Sequence, residues 1–145
     1  NAIQKLDIKK SFLVVNSDTW LANGVKEMIY SKPSSVGAVN VDKTDRYGAL
    51  DVEEGLVTSF KEKSNESYLN LINAGIYHLK PKDFDIDICS KCFSLENVIL
   101  PELVRKKELN ACLIDGHFID IGIPEDYYKF CEWVDQGEIN DIKWY

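Results

Sequence analysis

The sequence predicts an α/β fold in which helices flank a mixed β-sheet and an antiparallel hairpin is inserted. Two nearly unbroken apolar runs, at residues 11–16 and 36–41, are typical of strands buried on both faces of a sheet. Segments with helical spacing follow strands along the chain, which is the order of α/β proteins. Two arms of alternating apolar residues around Glu54-Gly55 add the hairpin.

The first 41 residues predict a strand, a helix and a second strand. Residues 11–16 (SFLVVN) form the first strand and end in Ser17-Asp18-Thr19. Residues 21–31 are expected to be helical, and Lys32-Pro33 ends that helix because proline disfavours helix in the residue before it. The apolar positions with helical spacing are Leu21, Val25, Met28 and Ile29. Residues 36–41 (VGAVNV) form the second strand.

The middle of the chain predicts the hairpin over residues 47–62 and a strand over residues 69–79. Asn73-Ala74-Gly75 lies in the middle of that strand. A glycine inside a strand often marks the close approach of a ligand or of another backbone segment. A short helix is expected over residues 81–87, after Pro81.

An amphipathic helix is predicted over residues 94–107, with apolar residues at i, i+3, i+4 and i+8 from Leu95. Short strands at 111–114 and 118–121 flank Asp115-Gly116. The last helix begins at Pro124, since proline is favoured at the first helical position. Its expected apolar stripe is Tyr127, Cys131 and Val134.

Length and charge limit the class of protein. The chain has 145 residues, of which 17 are Lys or Arg and 24 are Asp or Glu, so its net charge is −7. This length suits one domain, placed at residues 1–134, with an acidic extension at 135–145. The acidic balance argues against nucleic acid as a partner. No apolar run reaches the roughly 18 residues of a membrane helix, so no membrane contact is expected.

The cysteines include one C-x-x-C pair, Cys89 and Cys92. A zinc site would need a second close pair, which the sequence does not supply. Reduced thiols of a cytoplasmic protein are the simpler interpretation. A zinc or redox role of this pair is kept as a third hypothesis.

Three charged residues are candidates for phosphate chemistry. Asp18 follows the first strand and Asp120 precedes the last helix, so a sheet could bring their carboxylates together around one Mg²⁺. The alternative is that each aspartate caps a turn. Lys63, at the end of the hairpin, could bind phosphate as a point charge, or it could be an exposed edge lysine.

Six motifs then occur in a fixed order along the chain: LVVNSDTW at 13–20, RYGALDV at 46–52, VTSFKEK at 57–63, NAGIYHL at 73–79, FSLENVILPEL at 93–103 and FIDIGIPEDY at 118–127. Together they resemble the C-terminal part of the sugar-1-phosphate nucleotidyltransferases. Within that family the chain looks most similar to the D-glycero-D-manno-heptose 1-phosphate guanylyltransferases. The resemblance implies a Rossmann-like sheet of the nucleotide-diphospho-sugar transferase type.

The resemblance also implies roles for individual residues. Asp18, Lys63 and Asp120 match catalytic positions, and the two aspartates match the ligands of Mg²⁺. The implied substrates are an NTP, with GTP favoured, and a sugar 1-phosphate; pyrophosphate leaves, and the product is a nucleotide sugar for surface glycan synthesis. The positions matching the sugar site are Gly48, Glu62, Asn73, Gly75 and Glu96.

The chain departs from the family pattern in three ways. The glycine-rich G-G-x-G-T-R-L loop that opens the family does not precede Asn1, so an N-terminal half is expected to be missing and the fragment to be inactive alone. Ser17 replaces a glycine. Ile123 replaces a threonine at the N-cap of the last helix, a loss of about 0.5–2 kcal/mol.

Other functions stay open at this point. Mannose 1-phosphate with GTP, or another hexose or amino-sugar 1-phosphate with UTP, would fit the same motifs. A truncated, non-catalytic module that binds sugar phosphates is a different class of function. Whether the protein forms a homo-oligomer is also left open.

Overall fold

The structure is a computed structural model and describes residues 2–41, 47–61, 70–85 and 94–139. The strands are β1 (Phe12–Val15), β2 (Thr19–Leu21), β3 (Ser35–Asn40), β4 (Ala49–Glu53), β5 (Leu56–Lys61), β6 (Leu71–Leu79), β7 (Asn110–Leu113) and β8 (Phe118–Asp120). The α-helices are α1 (Ala2–Lys5), α2 (Val25–Tyr30), α3 (Leu100–Arg105) and α4 (Pro124–Asp135). A 3₁₀ turn, Pro81–Phe84, and a π-helical turn, Leu95–Ile99, complete the described elements.

Within the described residues, six strands form a mixed sheet in the order β1-β6-β3-β7-β5-β4. β6 runs antiparallel to both of its neighbours, β1 and β3, whereas β3 and β7 are parallel. The remaining strands, β2 and β8, form a separate antiparallel pair. The predicted α/β class with a mixed sheet is therefore confirmed.

The hairpin insertion is confirmed at β4 and β5. Glu54 and Gly55 form its two-residue turn with φ of 50° and 80°, the left-handed pair that matches the twist of a hairpin. At the end of the hairpin away from the turn, Ala49 of β4 pairs with Ile72 of β6. Beside the turn, Leu56 of β5 pairs with Asn110 of β7. The hairpin is therefore hydrogen-bonded into the sheet at both of its ends.

Two apolar clusters pack against β6, because its side chains alternate between the faces of the sheet. One cluster contains Ile72, Ala74 and Ile76 of β6, together with Met28, Val39 and Ile114. The other contains Tyr77 and Leu79 of β6 with the hairpin and α3; its further buried members are Val36, Ala38, Leu50, Val57, Ile99, Leu100, Leu103 and Leu109. β6 is thus the central strand of the described core.

The first strand differs from its prediction. β1 is an edge strand among the described residues, paired with β6 alone, and Val15 is 50% exposed. The run SFLVVN was expected to be buried on both faces. An apolar run shows that a segment suits a sheet, but its neighbours decide how much of it is covered.

The helix predicted over residues 21–31 is shorter than expected. Gly24, at φ 113°, precedes a helix of only six residues, and Leu21 belongs instead to β2, opposite Phe118. Of the expected stripe Met28 is buried, whereas Val25 and Ile29 are about half exposed, at 53% and 55%. Helical spacing at Leu21 was therefore coincidental, because strand pairing decides the conformation of that residue.

The helix predicted over residues 94–107 is present over 95–105, and it begins with a π-helical turn. The N–H of Leu100 donates to the carbonyl of Leu95, five residues back. Pro101 has no N–H to continue the α-helical pattern from the preceding turn, and a wider turn accommodates its ring. Ser94 caps the helix by accepting a hydrogen bond from the N–H of Asn97 at 3.2 Å.

The strands around Asp115-Gly116 do not pair with each other. β7 stays in the large sheet, and β8 leaves it to pair with β2. The two short apolar runs gave no information on this separation. It places Asp120 opposite Thr19, next to Asp18 in the chain.

The last helix begins at Pro124 as predicted, but its expected apolar stripe was only partly right: Cys131 is half-buried, whereas the other two residues are exposed. Tyr127 and Val134 are 50% and 45% exposed. Phe130 and Trp133 instead lie 5.7 and 6.1 Å from the ring of Trp20. The partner of α4 is thus the aromatic side of the β2–β8 pair, which the sequence pattern of α4 alone does not show. No helix in the described ranges is long and apolar enough to cross a membrane.

Candidate functional site

Asp18 and Asp120 are brought together by the small β2–β8 sheet. Thr19 is paired with Asp120, and the N–H of Ile121 donates to the carbonyl of Asp18 at 2.8 Å. A methyl group built on Gly122 would lie 2.9 Å from Oδ1 of Asp120 and 3.5 Å from Oδ2 of Asp18. Both carboxylates therefore border the same small space above Gly122.

The local sequence keeps that space open and holds one of the carboxylates. Oδ1 of Asp120 accepts a hydrogen bond from the N–H of Gly122 at 2.8 Å, an Asx turn over two residues. Gly122 has no side chain to fill the space between the acids. Asp18 lies in the exposed turn after β1.

This pair of carboxylates has the chemistry that Mg²⁺ requires. Magnesium prefers hard oxygen ligands and commonly takes one or two protein carboxylates, with waters and substrate phosphates completing its shell. Among the described residues no cluster of three or more His, Cys, Asp or Glu side chains is placed to hold a metal. Two oxygens bordering one open space suit a shared, partly hydrated Mg²⁺ rather than a closed structural metal site.

Gly75 touches the loop that carries Asp18. Its carbonyl accepts a hydrogen bond from the N–H of Asn16 at 2.8 Å. A Cβ at Gly75 would lie 2.9 Å from Nδ2 of Asn16 and 3.0 Å from Oγ1 of Thr19. The close approach predicted from a glycine inside a strand is thus present, and the approaching segment is this loop. That Gly75 also lines a sugar pocket stays a prediction.

The bulge in β6 follows from the same glycine. Val36 pairs with Tyr77, but two residues later Ala38 pairs with Asn73, so β6 has extra residues between these pairs. Gly75 lies among them with φ of 68°, a left-handed conformation that glycine adopts without strain. The side chain of Asn73 closes the bulge, since its Oδ1 accepts the N–H of Gly75 at 3.0 Å.

Asn73 and Glu96 lie together, joined by a residue that the sequence reasoning missed. The hydroxyl of Tyr77 is 2.9 Å from Nδ2 of Asn73 and 3.0 Å from Oε1 of Glu96. Burial raises the pKa of Tyr77 far above its usual value; the hydrogen bond from Asn73 opposes this rise, and the charge of Glu96 adds to it. The available signal was the spacing of 73 and 77, which puts both on one face of a strand.

Gly48 lies beside Asn73, because its carbonyl accepts the N–H of Asn73 at 3.1 Å. No atom lies within 4 Å of the position that a Cβ would take at Gly48. The neighbouring Tyr47 packs edge-on against Phe118 of β8, with ring centroids 5.3 Å apart. Gly48, Asn73 and Glu96, predicted to share a sugar pocket, are therefore neighbours in the fold.

An open cleft of about 480 Å³ lies next to β8. Its walls come from the end of β3, from Tyr47, from the β7–β8 loop and from α4; the polar residues among them are Asn40, His117 and Lys129. The ring of His117 lies edge-on to Trp133 at 5.4 Å. The sequence pattern did not predict this cleft.

Four of the residues singled out from the sequence lie outside the described ranges. These are the hairpin-end pair Glu62 and Lys63 and the C-x-x-C pair Cys89 and Cys92. The roles predicted for Glu62 and Lys63 remain predictions.

Comparison with known proteins identifies the family. A family model described as "Nucleotidyl transferase" matches residues 1–142. The chain belongs to the nucleotidyl transferase family. The resemblance found in the six sequence motifs is thereby confirmed.

Individual nucleotidyl transferases resemble the chain over most of its length. It is 37% identical over 125 residues to a D-glycero-alpha-D-manno-heptose 1-phosphate guanylyltransferase of Campylobacter jejuni, covering 85% of this chain and 56% of that protein. It is 38% identical over 123 residues to a probable mannose-1-phosphate guanylyltransferase of Arabidopsis thaliana, covering 80% of this chain and 37% of that protein. The chain thus spans about half the length, or less, of these relatives.

Solved structures of the family share the fold. HddC from Yersinia pseudotuberculosis superimposes with a TM-score of 0.76 at 35% identity, over 92% of this chain and 59% of that one. The same Yersinia protein complexed with GMP-PN gives a TM-score of 0.75 at 35% identity, over 91% of this chain and 59% of that one. The predicted nucleotide-diphospho-sugar transferase type of fold is therefore confirmed.

Proposed function

We propose that this chain carries the metal-binding and sugar-binding side of a sugar-1-phosphate guanylyltransferase. The reaction joins GTP and a sugar 1-phosphate, with D-glycero-D-manno-heptose 1-phosphate as the favoured sugar, and releases pyrophosphate. The single observation that carries this proposal is the meeting of Asp18 and Asp120 over Gly122. The nucleotide sugar formed is of the activated kind that surface glycan synthesis consumes.

The chemistry requires positioning and charge neutralisation rather than a covalent enzyme intermediate. A phosphate oxygen of the sugar 1-phosphate attacks the α-phosphorus of GTP in line. The new P–O bond forms as the bond between the α-phosphorus and the oxygen bridging to the β-phosphate breaks, and pyrophosphate takes that electron pair. The sugar phosphate and the α- and β-phosphates of GTP are all negatively charged and repel one another. The site must therefore hold these three groups close together and offset their repulsion.

Each residue has a defined part in this scheme. Asp18 and Asp120 would hold Mg²⁺, which would supply positive charge to the reacting phosphates. Gly75 and Asn73 fix the loop and the bulge next to Asp18, as their contacts indicate. Glu96 accepts hydrogen bonds from sugar hydroxyls. Lys63 neutralises the phosphate of the sugar, in the role implied by the family motif.

The names of the relatives support the choice of substrates. The Campylobacter relative is named for heptose 1-phosphate and guanylyl transfer, and the Yersinia structure was solved with GMP-PN. Mannose 1-phosphate is the second candidate sugar, because the Arabidopsis relative, at 38% identity, is named for it. A non-catalytic module that binds sugar phosphate is the alternative in which the same contacts serve binding only.

The experiment uses the full-length protein and measures Mg²⁺-dependent pyrophosphate release from GTP with the heptose 1-phosphate and, separately, with mannose 1-phosphate. Asp18→Asn and Asp120→Asn should each lower turnover by about 100-fold or more, since each removes one charged ligand of the metal. Binding of Mn²⁺, followed by its paramagnetic resonance signal, reports the metal site without turnover.

Asp115→Asn is the matched control, because Asp115 is an exposed aspartate of the β7–β8 loop. It makes the same chemical change outside the proposed site and should leave both measurements unchanged. Near-normal turnover in both site variants would refute the metal assignment. Saturable binding of sugar 1-phosphate with no pyrophosphate release, in a protein that binds Mn²⁺, would favour the binding module.

A further inference from the structure

Tyr77 connects the buried core to an exposed carboxylate. Tyr77, in β6, is 0% exposed, yet its hydroxyl lies 3.0 Å from Oε1 of Glu96, a residue at the surface. Glu96 belongs to the first turn of the helix that Ser94 caps. Breaking this contact would take a hydrogen-bond partner from a buried hydroxyl, which costs free energy because the hydroxyl is shielded from water. The contact therefore also restrains the carboxylate of Glu96.

The direction of each hydrogen bond follows from Gly75. A backbone N–H can only donate, so the atom of Asn73 that lies 3.0 Å from the Gly75 nitrogen must be the oxygen Oδ1. Nδ2 of Asn73 then faces the Tyr77 hydroxyl at 2.9 Å and donates to it. Since that hydroxyl oxygen accepts from Asn73, its single proton points to Glu96.

Glu96 receives a second donor from the same amide. Nδ2 of Asn73 lies 3.4 Å from Oε1 of Glu96. Both hydrogen bonds that the described residues give to this carboxylate therefore end on Oε1. These two contacts restrain the carboxylate through Oε1 and leave Oε2 without a hydrogen bond from the described residues.

These contacts lead to the proposed metal site in two steps. Asn73 joins Glu96 to Gly75, and Gly75 contacts the loop of Asn16 and Thr19 that carries Asp18. A ligand that places a phosphate near Asp18 and Asp120 and hydroxyl groups near Glu96 would fit this arrangement of side chains. A sugar 1-phosphate has that arrangement.

We propose that Tyr77 is a positioning residue that orients Glu96 to accept hydrogen bonds from the sugar of the sugar 1-phosphate. This inference rests on the proposed function, which supplies the sugar as the ligand. Tyr77 does not touch the substrate. It acts by removing rotational freedom from Glu96 before binding, so that less side-chain entropy is lost when the sugar arrives.

The first test is Tyr77→Phe in the full-length protein, a change that keeps the ring and removes the hydroxyl. We expect the KM for D-glycero-D-manno-heptose 1-phosphate to rise about 10-fold, while the KM for GTP and kcat stay within about twofold. Glu96→Ala should raise the same KM by at least as much. The double variant should be no worse than Glu96→Ala alone, because Tyr77 acts only through Glu96. Tyr30→Phe, at a tyrosine that is 79% exposed, is the matched control.

A second readout needs no substrate. The carbon-13 resonance of the Glu96 carboxyl, identified by its absence in Glu96→Ala, should move in Tyr77→Phe and stay in place in Tyr30→Phe. If Tyr77→Phe does not fold, the folded wild type and Glu96→Ala are compared through the Cζ resonance of Tyr77. Glu96 is exposed, so its truncation leaves the core intact.

The outcomes separate this inference from the proposed function. Additive losses in the double variant, a fall in kcat at unchanged KM, or an unmoved resonance would each overturn the positioning role. If the wild type neither binds nor turns over the sugar 1-phosphate although the Glu96 resonance depends on Tyr77, the proposed function fails. The assignment of a sugar to this carboxylate is then overturned with it.

Discussion

The N–H of Asn16 donates a hydrogen bond to the carbonyl of Gly75 at 2.8 Å, which joins the loop after β1 to the bulge of β6. The loop carries Asp18, and the bulge carries Asn73. A single backbone contact thus links the candidate metal ligand to the candidate sugar-binding residues. Four predictions test this arrangement and the elements around it.

Gly75→Ala should destabilise the protein and displace the loop of Asp18. Alanine at φ 68° is strained, and its Cβ would lie only 2.9 Å from Asn16 and 3.0 Å from Thr19. We expect a loss of about 1–3 kcal/mol in the free energy of unfolding. Urea unfolding measures it. Gly48→Ala is the stability control, because a Cβ there meets no atom within 4 Å; equal losses in the two variants would contradict the packing described for Gly75.

Gly122→Ala should weaken metal binding without unfolding the protein. The new methyl group would lie 2.9 Å from Oδ1 of Asp120 and 3.5 Å from Oδ2 of Asp18, so it enters the space that the two carboxylates border. We expect Mn²⁺ affinity to fall about 10-fold, as for changes that reorient metal ligands, with unfolding free energy within about 0.5 kcal/mol of wild type. Calorimetric titration with Mn²⁺ is the measurement. Unchanged affinity would show that the metal does not lie between these acids.

Trp133→Ala should loosen α4 from the β2–β8 sheet. Its ring contacts Trp20 at 6.1 Å and His117 at 5.4 Å, and the ammonium of Lys129 lies 5.2 Å from its centroid. We expect about 2 kcal/mol of destabilisation, less than for a fully buried tryptophan because the residue is only half-buried. Thermal unfolding followed by circular dichroism tests this. Tyr128→Ala, at a residue that is 66% exposed on the same helix, should cost far less.

The charged cluster on α3 should make stability depend on pH in acid. Hydrogen bonds from Arg105, and then from Lys106, lower the pKa of Glu102 to about 2 from its ordinary value of 4.5. A lowered pKa in the folded state stabilises the protein above pH 4.5, and this contribution is lost as the pH falls towards 2.

Urea unfolding of wild type and Glu102→Gln between pH 6 and pH 2 measures this contribution. The difference between the two proteins should be largest near pH 6 and should vanish near the lower end. The other carboxylates titrate in both proteins and cancel in the difference. Glu132→Gln, an exposed change on α4, controls for net charge. A difference that does not vary with pH would contradict the assigned cause.

The sequence correctly predicted features of the fold that depend on local backbone conformation. Glu54-Gly55 was identified as a hairpin turn and Pro124 as the start of a helix, because both features depend on the backbone preferences of one or two residues. The glycine of the strand 69–79 was correctly expected at a close approach. Such features need no knowledge of distant segments.

The errors concern which segments become neighbours. Helical spacing placed Leu21 in a helix, and the pairing of β2 with β8 placed it in a strand. The stripe assigned to α4 had Tyr127 and Val134 on its buried side, and the aromatic side of the β2–β8 pair selected Phe130 and Trp133 instead. Periodicity shows that a segment has an apolar face, but only the packing partner decides which residues form it.

The sequence by itself determined the family, the α/β class and the two aspartates that are candidate metal ligands, because these depend on residue type and order along the chain. The tertiary structure alone decided that Asp18 and Asp120 border one space and that Tyr77 joins Asn73 to Glu96. Asp18 and Asp120 are 102 residues apart in the sequence, and Asn73 and Glu96 are 23 residues apart. Both relationships exist because β8 leaves the large sheet to pair with β2, and because β6 lies at the centre of the core beneath the helix of Glu96.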